Sequence, residues 1–127
     1  MPIKFHVDQS KNLTTFHVDG PMSFDEVQKA IKQFYEGKSS QPTKHILWDL
    51  RSAKVDRIRS KEAEDLAFFA ASIDKRKDIG KTAIVASSDL VYEVAKIFEG
   101  YIDNPDIQFD VFRSIDKATE WLGKDPE

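Results

Sequence analysis

The chain contains no cysteine. That absence removes disulfide frameworks, thiol nucleophiles, zinc ribbons and iron–sulfur clusters from consideration, and it suits a cytosolic setting. Also missing is any apolar run near the roughly 20 residues of a membrane span, and Met1-Pro2-Ile3-Lys4-Phe5-His6 has no apolar signal region. Export and membrane insertion are therefore not expected, and the expected localisation is cytoplasmic. Charge of one sign is scarce as well. The 19 basic and 22 acidic residues leave a net charge of −3, which argues against a general nucleic-acid binder. No GxGxxG, HExxH, GxSxG or paired-carboxylate spacing occurs. Gly37-Lys38-Ser39 and Gly80-Lys81-Thr82 resemble the tail of a phosphate-binding loop. The required earlier glycine is Lys32 in one case and Lys75 in the other, however, and each segment follows a helix instead of joining strand to helix.

What is present is a core. In 127 residues, 40% are hydrophobic, with nine Phe and two Trp, enough to bury one domain's interior and too much for a disordered chain. A single domain over residues 1–127 is expected. Residues 3–8 and 13–18 alternate apolar and polar positions across the turn Gln9-Ser10-Lys11-Asn12, which reads as a β-hairpin. Ser23 and Glu26 make a capping box, and Phe24, Val27, Ile31 and Phe34 recur at helical spacing up to Gly37. His45-Ile46-Leu47-Trp48-Asp49-Leu50 is a nearly continuous apolar run of the kind found in buried central strands. A second helix is expected over residues 60–74, a strand over 82–86, and a third helix after Ser87-Ser88-Asp89 that stops near Asn104-Pro105. A strand over 108–112 and a last helix capped by Ser114 complete the order. Alternating helices and strands with right-handed crossovers make the later strands parallel, so the fold class is α/β with about five strands and four helices.

The tetrapeptide FHVD occurs at residues 5–8 and again at 16–19. If Asp8 pairs with Leu13, Phe5 falls opposite Phe16 and Ile3 opposite Val18, so the echo is a cross-strand aromatic pair. His6 and His17 then become diagonal neighbours on the other face. They lack a third converging donor, and no metal site is expected there.

Arg51-Ser52-Ala53-Lys54-Val55-Asp56-Arg57-Ile58-Arg59-Ser60-Lys61 carries five basic residues against one acid at the end of a buried strand. Ligands of open α/β sheets gather at the carboxyl ends of strands, and helix N-termini attract anions. Ser87, Ser88, Arg113 and Ser114 leave neighbouring strand ends on the same edge. Arg51, Ser52, Lys54, Arg57, Arg59, Ser60, Ser87, Ser88 and Arg113 are thus the candidate ligand- or partner-binding residues, with helix capping as the ordinary alternative for the serines. Phe68, Phe69, Tyr92 and Phe98 are candidates for an apolar pocket between helices and sheet, and filling the core is the ordinary alternative. At least one of the adjacent Phe68 and Phe69 must point off the main helical stripe and so mark a second contact surface.

The strand ILWDLR, the strand TAIVAS and the closing FDVFRSIDKATEWL, placed after a hairpin and a capped helix, resemble the SpoIIAA-like proteins of the STAS and SEC14-related superfamily, especially stand-alone bacterial members. The resemblance covers essentially the whole chain. It implies a βα superhelix, no enzymatic activity, and binding of a regulatory protein or a small lipid-like or anionic ligand; no cofactor is expected. It also implies a serine phosphoswitch in an Asp-Ser-Ser/Thr-Gly motif, which this chain lacks. The loop offers Asp56-Arg57-Ile58-Arg59-Ser60 in its place.

Three functions follow as expectations. The first is a non-enzymatic binding or regulatory domain acting through the basic strand-end loop and the surface of the second and third helices. The second is a carrier or sensor of a small hydrophobic or lipid-like anionic ligand. The last is an enzyme using His6 or His17 with Asp8 or Asp19 as an acid–base pair, which lacks a shaped cleft. The partner is an unknown regulatory protein or a small anionic or hydrophobic ligand, and the hairpin edge leaves a homodimer open.

Overall fold

A computed structural model describes residues 3–36, 43–54, 60–73, 80–101 and 107–123. Its elements are β1 (Ile3–Asp8), β2 (Leu13–Pro21), α1 (Phe24–Glu36), β3 (His45–Lys54), α2 (Ser60–Ile73), β4 (Gly80–Val85), α3 (Asp89–Tyr101), β5 (Ile107–Phe112) and α4 (Ile115–Leu122). The five strands form one sheet in the order β1-β2-β3-β4-β5. The β1–β2 pair is antiparallel, and β2 through β5 run parallel. The α/β class, the element order and the hairpin register therefore agree with the sequence reading, including Phe5 opposite Phe16, His6 opposite Thr15 and His17 opposite Lys4.

Sequence alternation assigns the two faces of the sheet. Phe16, Val18, Ile46, Leu50, Ile84 and Val111 point to one face and are buried with Val27, Ile31 and Phe34 of α1, Ala63 and Leu66 of α2, and Val91 and Ala95 of α3. Phe16 stacks on Trp48 with ring centroids 4.1 Å apart and meets Phe34 edge-on at 5.4 Å. Leu47, Ala83 and Val85 point to the other face, where α4 alone covers them through Ala118 and Leu122. Three helices thus shield one face and a single short helix part of the other.

Capping explains where the helices begin. Ser23 Oγ accepts a hydrogen bond from the Glu26 amide at 3.3 Å and donates to the Glu26 carboxylate at 3.0 Å, so Ser23 caps the helix as expected, with the Glu26 carboxylate on the serine hydroxyl in place of the Ser23 amide of a reciprocal box. Ser88 accepts from the Val91 amide at 3.2 Å and Ser114 from the Lys117 amide at 3.4 Å. At the opposite edge of the sheet, buried Lys81 donates through Nζ to the Trp121 carbonyl at 2.8 Å. It thereby satisfies an end carbonyl of α4 with a cation, as the helix dipole favours. His45 opens β3 in a structural role, accepting the Lys81 amide at Nδ1.

β3 runs four residues beyond the apolar segment that marks it in the sequence. Its pairing with β2 shifts between His17 and Asp19, from Asp49 to Ser52, so one extra residue is accommodated after Asp49. Leu50 and Ala53, three apart, both face the core, while Arg51 and Ser52 are exposed. This is a bulge, and it re-aims Arg51.

Candidate functional site

The bulge turns Arg51 back onto Asp49. Arg51 Nε donates to Oδ1 and Nη2 to Oδ2, both at 2.9 Å, and the Arg51 amide adds a bond to Oδ1 at 3.2 Å. His17 Nδ1 lies 3.3 Å from Asp49 Oδ2, because the β2–β3 register sets the two residues side by side. Asp49 has only 10% of its side chain exposed, while Arg51 and His17 keep about half of theirs. The hydrogen bonds from the Arg51 side chain hold the Asp49 carboxyl below the ordinary carboxylate range against the opposing effect of burial. The sequence reading set each histidine against the aspartate of its own tetrapeptide. In the structure His17 turns to Asp49 on the next strand, and Asp8 accepts from Ser10 in the hairpin turn.

The rest of the carboxyl edge is tied together in the same manner. Ser87 Oγ donates to the Arg51 carbonyl at 3.2 Å, joining β4 to β3. Arg113 Nη2 donates to the Ser87 carbonyl at 2.7 Å and to Asp89 Oδ1 at 2.9 Å, with its guanidinium 5.0 Å from the centre of the Tyr92 ring. Ser88 is the N-cap described above. Ser52 and Lys54 are exposed. Arg57 and Arg59 lie outside the described residues, as does the side chain of Ser60, whose backbone opens α2. Among the described residues no buried side-chain nitrogen or oxygen lacks a partner, so no orphaned polar group at this edge points to a missing ligand.

The four aromatics read as pocket candidates separate. Phe98 lines a wholly apolar cavity beneath α2, together with Met22, Trp48, Leu66, Ile84 and Val94. Phe69 packs against the main core, as does Tyr92 at the core's margin beneath Arg113. Phe68 points outward and is 55% exposed. The cavity measures about 60 Å³, well below the roughly 300–1,000 Å³ of small-molecule sites. As folded, it has room for only a few small apolar groups.

A second surface emerges on the outside of the same helices. Four large hydrophobic residues are exposed among those described, and three of them, Phe68, Leu90 and Tyr101, belong to α2 and α3. The rings of Phe68 and Tyr101 meet across the two helices with centroids 6.0 Å apart. The adjacency of Phe68 and Phe69 signalled that one of them would face outward. Leu90 and Tyr101 are harder to read, since α3 is apolar at eight of the positions read as helix and only the fold shows which of them the sheet covers.

No family model matches the chain, and no curated protein matches it. Among solved structures, an uncharacterized DUF3478-family protein with a SpoIIAA-like fold from Shewanella loihica PV-4 superposes with a TM-score of 0.57 at 15% sequence identity, over 94% of this chain and 91% of that one. The chain has a SpoIIAA-like α/β fold. Among the described residues, no helix is long and apolar enough to cross a membrane, and no three His, Asp or Glu residues converge as a metal site would require.

Proposed function

We propose that the chain is a non-enzymatic, cytosolic binding domain that engages a partner protein through the outer face of α2 and α3. The observation that carries this is the gathering of Phe68, Leu90 and Tyr101, three of the four large hydrophobics exposed among the described residues, on two adjacent helices. The polar groups at the carboxyl edge support the same reading by contrast, because Arg51, Ser87, Ser88 and Arg113 are engaged within the molecule. The basic segment at residues 55–59 directly precedes α2 in the sequence, has the opposite charge to α2 and α3, and is proposed to meet a separate acidic part of the partner. Photo-cross-linking from position 90 in cells of the source organism, with position 6 on the hairpin as control, tests the reading. A dominant adduct from position 90 and none from position 6 is expected; equal labelling from both sites would refute it. Arg57→Glu with Arg59→Glu should weaken the adduct without removing it, which measures the share of the loop.

A carrier of a hydrophobic anionic ligand is the second reading, favoured by the purely apolar cavity beneath α2. Its volume of about 60 Å³ requires α2 to move before a chain of several methylenes enters. Titration with fatty acids and phospholipids should raise the melting temperature with the logarithm of free ligand if this reading holds. No shift across the panel would remove it.

A further inference from the structure

The chemistry of the partner can be read from the same face. On α3, Leu90, Val94, Ile97 and Tyr101 follow one another at spacings of four, three and four residues. They form one stripe roughly 16 Å long at 1.5 Å per residue. Its ends are exposed, Leu90 55% and Tyr101 42%, while Val94 and Ile97 in its middle are half-buried and packed against the core. Phe68 of α2 extends the apolar surface beside Tyr101. This is the spacing with which one helix receives the apolar seam of another over about three turns.

Acidic side chains border the stripe. α2 and α3 each contain one lysine against three acids, and both lysines are held within their own helices, Lys61 by Asp65 at 3.4 Å and Lys96 by Glu99 at 2.6 Å. Glu64 stands one turn before Phe68, and Glu93 lies between Leu90 and Ile97 on the helix surface. Among the described residues, neither Glu64 nor Glu93 has an ion-pair partner. Two uncompensated carboxylates beside a partly exposed apolar stripe call for cations from outside.

Resting on the binding-domain reading, we propose that this face receives a basic amphipathic helix of the partner, its apolar seam on Leu90, Val94, Ile97 and Tyr101 and its Lys or Arg side chains against Glu64 and Glu93. A second copy of this chain would present the same acidic rim and is disfavoured by like charge, as is an anionic lipid surface.

The test uses the full chain and three labelled peptides of about 18 residues, long enough to form helix on binding. The first carries Leu at the a and d heptad positions and Lys elsewhere, the second replaces Lys by Glu, and the third has the composition of the first with Leu and Lys in alternation. Fluorescence anisotropy should show the first bound, with affinity falling as salt rises, and the other two at least about tenfold weaker. Phe68→Gln with Leu90→Gln should weaken binding of the first about tenfold or more. Glu64→Lys with Glu93→Lys should weaken it by about fivefold and improve binding of the Glu peptide. Equal binding of the Glu peptide, still lost in the Phe68→Gln, Leu90→Gln variant, would overturn the basic partner while leaving the face as a binding surface. Binding of no peptide, or binding indifferent to Phe68 and Leu90, would overturn the inference, and cross-linking from position 90 would then judge the face independently. Far-UV circular dichroism of each variant separates lost binding from lost fold.

Discussion

The carboxyl edge of the sheet and the outer face of α2 and α3 lie close in sequence and treat their side chains in opposite ways. At the edge, residues that look free in the sequence are engaged: Arg51 chelates Asp49, Ser87 holds the Arg51 carbonyl, Arg113 holds Ser87 and Asp89, and Ser88 caps α3. On the helices, residues that look like core stand in water, with Phe68 and Leu90 each 55% exposed. A cluster of basic and hydroxyl residues is thus a weaker pointer to a binding site than an apolar group that the fold leaves uncovered. Water satisfies an exposed arginine at little cost, whereas each exposed aromatic forgoes burial worth about 25 cal/mol per Å².

The sharpest way to break this comparison is at Asp49. If the edge serves the fold and the helical face serves binding, Asp49→Ala should lower stability by about 1–3 kcal/mol and leave binding of the Lys/Leu helix unchanged. The lower end of that range allows for the half-exposed Arg51 and His17, which water can solvate once the carboxylate is gone. Urea denaturation beside the peptide titration measures both quantities, and a variant of normal stability with lost binding would reverse the assignment of the two regions.

Acid should reproduce part of that loss. The Asp49 carboxyl is held below its ordinary value by the Arg51 hydrogen bonds. Its contribution is therefore complete above the unfolded-state value of about 3.9 and disappears as pH falls through the lower folded value. The stability gap between wild type and Asp49→Asn should then stay flat from about pH 7 to about pH 5 and narrow below about pH 4. A gap that persists undiminished through that range would show that shape, not charge, is what Asp49 supplies.

The two regions also differ in how far the sequence discloses them. Local signals are explicit: period-two alternation and a four-residue turn set the hairpin register residue by residue, and Ser23, Ser88 and Ser114 mark helix starts where the chain needs caps. The Asp49–Arg51–His17 cluster was not legible, because His17 and Asp49 are 32 residues apart and meet only through the register of a parallel pair. No local pattern encodes that register, and the bulge that turns Arg51 onto Asp49 falls in a polar stretch without alternation. The helical face was half legible. Phe68-Phe69 cannot both face the core on a helix, yet α3 is apolar on so much of its circumference that Leu90 and Tyr101 are indistinguishable in sequence from buried Val91 and Ala95.

A smaller effect separates capping from ligand binding at the edge. Ser88→Ala should cost about 1 kcal/mol through loss of the bond to the Val91 amide, with Ser88→Asp restoring most of it, since a carboxylate caps as well and favours the helix dipole. Thermal melts of the two variants decide the point. A serine needed for an anionic ligand would instead leave the stability of the free protein unchanged and be made worse by aspartate.

The smallest expected effect is the most telling for the helical face. Leu90 stands in the first turn of α3, 55% exposed, and glutamine is a good helix former, so Leu90→Gln should change stability by no more than about 0.5 kcal/mol in either direction. Phe68 is 55% exposed and meets the Tyr101 ring, and Phe68→Gln should cost under about 1 kcal/mol. Chemical denaturation of both variants gives the values directly. A loss of several kcal/mol at either position would mean that these side chains complete the fold of the free chain, and the contrast between a satisfied edge and an unsatisfied helical face would collapse. Near-neutral stability together with weakened binding of the basic helix leaves a partner as the reason for exposed apolar side chains at these positions, because the fold itself gains nothing from them.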